Sequence, residues 1–100
     1  MKEMILNWAK ERNLLEATNS NKQFLKLIEE VGELANAMGK RNSFGIKDSI
    51  GDIQVVLIIL SYQLGFDYDE CLESAYNEIK NRTGKTVNGI FIKDENNTER

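Results

Sequence analysis

The sequence contains no histidine and no proline, and one cysteine, Cys71. Without histidine there is no Ser-His-Asp relay, no imidazole acid–base group and almost no route to a transition-metal site. A single cysteine excludes an internal disulfide framework and a cysteine zinc site. Without proline nothing interrupts a long helix. No apolar run reaches the roughly 18–20 residues of a membrane span. The opening MKEMILNWAKERN is charged within its first three residues and has no signal-peptide core. A cytoplasmic protein with no membrane partner is expected. Basic charge is also short: 13 Lys and Arg face 16 Asp and Glu, and the net charge of −3 argues against a nucleic-acid partner. What remains for chemistry is carboxylate, amide, lysine, hydroxyl and one thiol.

One hundred residues, 41% hydrophobic and 29% charged, fit one soluble domain. The pattern predicts an all-α chain of four helices at about 2–15, 21–38, 46–64 and 68–82, followed by a short extended tail. A single domain over 1–93 and a frayed 94–100 complete the expectation. In the second helix Phe24, Leu27, Ile28, Val31, Leu34, Ala35 and Met38 keep the 3.6-residue period, and Gly39 is placed to cap it. In the third, Val55 to Leu60 is apolar without a break, which implies burial on all sides. Asp67 with Glu70 resembles a capping box at the start of the fourth. Asn88-Gly89 is a hairpin-turn signal. A third helix this apolar is hard to cover within 100 residues. A homodimer or homotetramer is therefore expected, against a compact monomer with that helix at its centre.

The second helix also carries Glu29-Glu30-Val31-Gly32-Glu33, with both Glu29 and Glu30 neighbouring Glu33 on the helix surface. Lys26, one turn upstream, offsets part of the repulsion. Alone this is a solvated acidic face. The third helix adds Asp48 and Asp52, spaced i, i+4 on a face that turns apolar at Val55 and Ile59. Carboxylates heading into an interior need a partner, and a cation is one. If the short loop makes the two helices an antiparallel hairpin, Glu33 and Asp52 lie level, with Glu30 deeper and Asp48 nearer the loop. Glu30, Glu33, Asp48 and Asp52 then line one groove. Ligands that are oxygen alone select Mg²⁺, with Mn²⁺ as the alternative. On the fourth helix Asn77, Lys80 and Asn81 form an ordinary polar face, or contacts for phosphate and a base edge if they lie beside that groove.

These residues resemble the MazG-like all-α NTP pyrophosphatase superfamily over about residues 20–93. The family pattern is E-E-x-x-E on one helix and E-x-x-D on the next. Here the first stands intact as Glu29-Glu30-Val31-Gly32-Glu33, and the second reads Asp48-Ser49-Ile50-Gly51-Asp52. The segment NEIKNRTGKTVNGIFIK looks like small phage-type members. Ser49 stands where the family has glutamate. Either Asp48 takes over as ligand, or a serine hydroxyl or water fills the place with weaker metal binding.

The resemblance implies Mg²⁺-dependent hydrolysis of a nucleoside triphosphate (NTP or dNTP) to monophosphate and pyrophosphate, in a dimeric helical bundle that cleans or regulates nucleotide pools. Without histidine, Glu29 or Glu30 is the expected base or water-orienting group. Lys80 is expected to stabilise charge on the leaving pyrophosphate. Trp8 and the Asn21-Lys22-Gln23 segment are candidates for the base, with Lys26 also facing substrate, although for Trp8 a core position beside Ile5 is the favoured reading. The competing reading is a non-catalytic helical dimer that retains a metal or nucleotide site for regulation. A third, a plain interaction module, implies no metal affinity.

Overall fold

The structure, a computed structural model, describes residues 1–95. It is all-α with a minor hairpin: α1 (Lys2–Glu11), α2 (Ser20–Gly39), α3 (Ser43–Gln63), α4 (Tyr68–Ile79), β1 (Gly84–Val87) and β2 (Ile90–Lys93). A 3-10 turn at Ala17–Asn19 leads into α2. Met1–Tyr68 forms one compact unit, and the described residues from Asp69 onward form another. Of the tail expected at 94–100, residues 96–100 lie outside the described residues.

The helix ends explain where the expected boundaries shift. After α1, α2 and α3 the chain closes each helix with the same paired bonds. Leu14 donates to the Ala9 carbonyl and Asn13 to Lys10. Asn42 donates to Ala37 and Arg41 to Met38. Phe66 donates to Ser61 and Gly65 to Tyr62. Each is a Schellman closure, with the middle residue in left-handed conformation. Those residues are Asn13 (φ 60°), Arg41 (φ 53°) and Gly65 (φ 86°). Helix α1 thus ends at Glu11, not at residue 15. Gly39 is the last helical residue of α2, not its left-handed cap, which is Arg41.

The connection between α2 and α3 is three residues long. Asn42 caps α3 by accepting a hydrogen bond from the Gly45 backbone N–H at 3.1 Å. The third helix therefore starts at Ser43, three residues earlier than expected. The two helices meet closely here: a methyl built on Gly45 would come 3.2 Å from the Ala37 Cβ and 2.8 Å from Asn42 Nδ2. Glycine is the residue that permits this approach.

Helix α3 packs chiefly on α2 and, less extensively, on α1. Its Val56, Ile58 and Ile59 join Ala9 of α1 and Ala37 of α2 as the buried apolar core. The expected all-round burial of α3 is not reached within one chain. Ile50, Tyr62 and Leu64 remain about half exposed. The α2 stripe divides in the same way. Leu27 and Leu34 are half-buried, while Phe24, Ile28, Val31 and Met38 stay exposed. The reason is supply: α3 can cover only one side of a broad apolar arc. Lys2 pairs with Asp67, and the Tyr68 hydroxyl donates to Gln54 Oε1 at 2.6 Å, which fixes the start of α4. No single helix among the described residues is long and apolar enough to cross a membrane.

In the second unit, α4 ends at Ile79, short of the expected residue 82. Its Leu72, Tyr76 and Ile79 are exposed. The strands pair antiparallel from Gly84–Lys93 to Val87–Ile90. Asn88 (φ 52°) and Gly89 (φ 80°) make the two-residue turn, as an Asn-Gly pair in such a position should.

Candidate metal and nucleotide site

The approach of Gly45 to Ala37 sets the register of the two long helices. Seven residues back from Ala37 is Glu30, and seven on from Gly45 is Asp52. Glu30 therefore lies level with Asp52, and Glu33 level with Ser49. This corrects the expected pairing of Glu33 with Asp52 by one turn, because α3 begins earlier. The electrostatics agree. Asp52 is pushed above the usual carboxylate range by burial first, then by the charges of Asp48 and Glu30.

Glu29, Glu30 and Glu33 each offer a carboxylate oxygen, and these oxygens all lie within 4.8 Å of one another. Glu29 and Glu33 are exposed, whereas Glu30 is only 5% exposed. Glu30 Oε2 is buried with no hydrogen-bond partner among the described residues. Its other oxygen lies 3.3 Å from Lys26 Nζ, which also sits 3.5 Å from Glu29 Oε1. The bond to Glu30 and the charge of Glu29 raise the lysine above its ordinary value. Glu33 is raised as well, chiefly by a shared hydrogen bond with Glu30 and by the Glu30 charge. The cluster thus repels itself and borrows one lysine as counter-charge.

This donor set fits a hard cation. It is oxygen alone, it is preassembled, and its most buried member has an acceptor without a partner. A cation would be held by Glu30 and Glu33, with Glu29 at the edge of the cluster and Asp52 close enough to Glu30 to feel its charge. Asp48 is exposed, one turn away from Asp52. Ser49 is buried, 6% exposed, on the α3 face that meets α2. The family glutamate would therefore point into the helix pair, a direction that Asp48 does not share.

Beside the cluster is a cavity of about 460 Å³ within the first unit. Trp8, Asn19, Lys22, Gln23 and Lys26 supply its polar and aromatic side, and Leu14, Val55, Val56 and Ile59 its apolar wall. Trp8 is 47% exposed, so it is a cavity wall and not a core residue. The Arg12 guanidinium stands 4.4 Å from the centre of its ring. Asn21 is exposed on α2, outside the residues that line this cavity. Asn77 lies on α4 in the second unit, in a shallow depression with Glu70, Glu73 and Glu78. Lys80 and Asn81 follow the end of α4 and are exposed.

One residue of the cavity wall was not legible in the sequence. Gln63 closes α3, is 6% exposed and lines the same cavity. The available signal was its polarity just beyond the apolar run Val55 to Leu60, on a helix expected to be buried on all sides.

A helical hairpin that gathers carboxylates on facing helices, beside a cavity with basic and aromatic walls, is an arrangement of the carboxylate-rich helical-bundle class. Comparison with known proteins assigns the family: the chain belongs to the MazG nucleotide pyrophosphohydrolase domain family, whose model matches residues 18–87. The chain is also 49% identical over 63 residues to an uncharacterised 18.2 kDa protein from the rep–hol intergenic region of Haemophilus phage HP1 (strain HP1c1). That match covers 63% of this chain and 39% of the phage protein, so the chain spans about two fifths of that relative's length. No solved structure matches the chain.

Proposed function

We propose that the protein is a Mg²⁺-dependent pyrophosphohydrolase that converts a nucleoside triphosphate, NTP or dNTP, to its monophosphate and pyrophosphate. Membership of the MazG domain family supports nucleotide pyrophosphohydrolysis as the general activity. The observation that carries the finer reading is the Glu29-Glu30-Glu33 cluster, with the buried Oε2 of Glu30, unpartnered among the described residues, at its inner edge. A bound divalent cation supplies neutralisation of phosphate charge and a more acidic bound water. Glu30, Glu33 and Asp52 would hold it, with Asp48 the outermost candidate. Glu29, exposed and close to the others, is placed to orient the attacking water and accept its proton. Lys26, freed from the carboxylates, faces substrate from the cavity wall. Lys80, Asn77 and Asn81 remain proposals on their chemistry, as donors to phosphate or base.

The apolar arc left bare on α2 favours a homo-oligomer, a dimer or a pair of dimers; a cytoplasmic location is part of the same proposal. The test is product analysis. Incubation with a panel of NTPs and dNTPs in Mg²⁺, followed by ion-exchange chromatography, should yield monophosphate and pyrophosphate. Diphosphate with orthophosphate would sink the proposal. Mg²⁺ binding and nucleotide binding without any turnover would favour the regulatory reading, which the Ser49 departure keeps in view.

A further inference from the structure

We infer that the cavity between α1, α2 and α3 is a nucleobase pocket whose floor, Gln63, selects bases carrying an exocyclic amino group, cytosine or adenine, over their oxo counterparts. The inference rests on the nucleotide reading above for the class of ligand. Gln63 supplies the rest. Its Nε2 donates to the Leu14 carbonyl at 2.8 Å, which fixes which end of the amide faces which way. Its Oε1 is then left buried with no partner among the described residues. A buried acceptor without a donor is unfavourable unless something brings one. The same side chain lines a cavity of about 460 Å³, within the range of small-molecule sites.

The cavity is polarised along its length. Lys26, which touches the metal-site carboxylates, stands in its wall towards the cluster, and Gln63 stands at the other end of α3. Asp52 and Gln63 are separated by eleven residues, about 16 Å along the helix at 1.5 Å per residue. An extended nucleotide bridges such a span, with phosphates at the carboxylates and base at the amide. Trp8 offers a flat face for the base, and Leu14 and Ile59 an apolar bed.

The chemistry at the floor decides which base edge fits. With Nε2 committed to Leu14, Gln63 offers an acceptor and no spare well-placed donor. An amino group projects from the ring and gives its hydrogen to Oε1. In uracil and hypoxanthine a carbonyl oxygen takes the amino group's place, and the nearest donor is the neighbouring ring N–H, which reaches Oε1 only if the base shifts. The amino base pairs this acceptor where it lies, whereas the oxo analogue either sets lone pair against lone pair or gives up its seat on Trp8, and it binds more weakly accordingly.

The experiment uses matched pairs that differ only by amino against oxo: dCTP with dUTP, and dATP with dITP. Each is supplied as its α,β-imido analogue, so that binding is read without cleavage, by calorimetry in Mg²⁺. In the wild-type protein the amino member of at least one pair should bind about tenfold tighter or more. Gln63→Met should bring the two members within about twofold of each other. Gln63→Asn, which withdraws the amide by one methylene, carries the same expectation if the methionine variant does not fold. Equal affinities in the wild type, or a preference for the oxo member, overturn the inference. A preference that survives both variants also overturns it. Binding without discrimination removes this inference alone, whereas failure of every analogue to bind removes the nucleotide reading with it.

Discussion

Glu30 sets a carboxylate in a place that a single chain keeps almost dry, with one oxygen on Lys26 and the other without a partner among the described residues. Its neutral isostere should show what that arrangement is for. Glu30→Gln relieves like-charge repulsion, so the metal-free protein should melt no lower than the wild type. The same change should abolish the rise in Tm on adding Mg²⁺ and cut turnover by a factor on the order of hundreds or more. A Mg²⁺-induced rise that persisted in thermal melts would move the cation elsewhere. Ser49 tests the other helix. Its buried position level with Glu33 means that Ser49→Glu adds a carboxylate inside the helix pair. It should tighten Mg²⁺ in a calorimetric titration and lower the Tm of the metal-free protein. Asp48→Asn, on the exposed side, should change Mg²⁺ affinity by less than about threefold. A larger loss there would make Asp48 the replacement ligand.

At the scale of elements, α2 and α3 form a hairpin whose facing carboxylates resist ionisation. Glu33 and Asp52 are both raised, so the folded protein binds their protons more tightly than the unfolded chain does. The stability this represents is full below their ordinary values, 4.5 and 3.8, and is lost as the pH climbs through the raised ones. The metal-free protein should therefore melt lower at neutral pH than in mild acid. Most of this comes from Asp52, since Glu33 stands in solvent that screens it. Saturating Mg²⁺ should flatten the pH dependence, because the cation replaces the protons. A metal-free Tm that rose steadily from mild acid to neutrality would contradict this account.

Much of this hairpin was legible in the sequence, because a proline-free chain with 3.6-residue periods leaves few alternatives to long helices. The spacing of Glu29, Glu30 and Glu33 already placed them together. The register was not legible. It depends on Phe44 and Gly45 joining α3, which follows from the Asn42 cap and from a close helix approach that periodicity does not encode. Gln63 was hidden because an apolar run masks the face on which a polar residue lies.

For the molecule as a whole, the exposed stripe of Phe24, Ile28, Val31 and Met38 is more than scattered surface hydrophobicity. These residues recur at alternating intervals of four and three with Ala35, the spacing that seats one helix against another. Light scattering at micromolar concentration should report a homo-oligomer, and Ile28→Lys with Val31→Glu should dissociate it. A monodisperse wild-type monomer would count against the proposal.

At 100° per residue, the circumference of α2 divides into arcs with separate duties. Gln23, Leu27, Glu30, Leu34 and Ala37 turn to α3, and Phe24, Ile28, Val31 and Met38 form the bare apolar arc. Lys26, Glu29 and Glu33 edge the cluster. Only Asn21, Leu25, Gly32, Asn36 and Gly39 share the arc that remains. Mutational freedom in this helix should therefore be confined to one narrow strip. A saturation library selected for nucleotide hydrolysis should accept varied residues along that strip and almost none elsewhere on α2. Sequence drift would be channelled into a single line along the helix, and a second broadly tolerant line on the bare apolar arc would show that arc to be free of any partner.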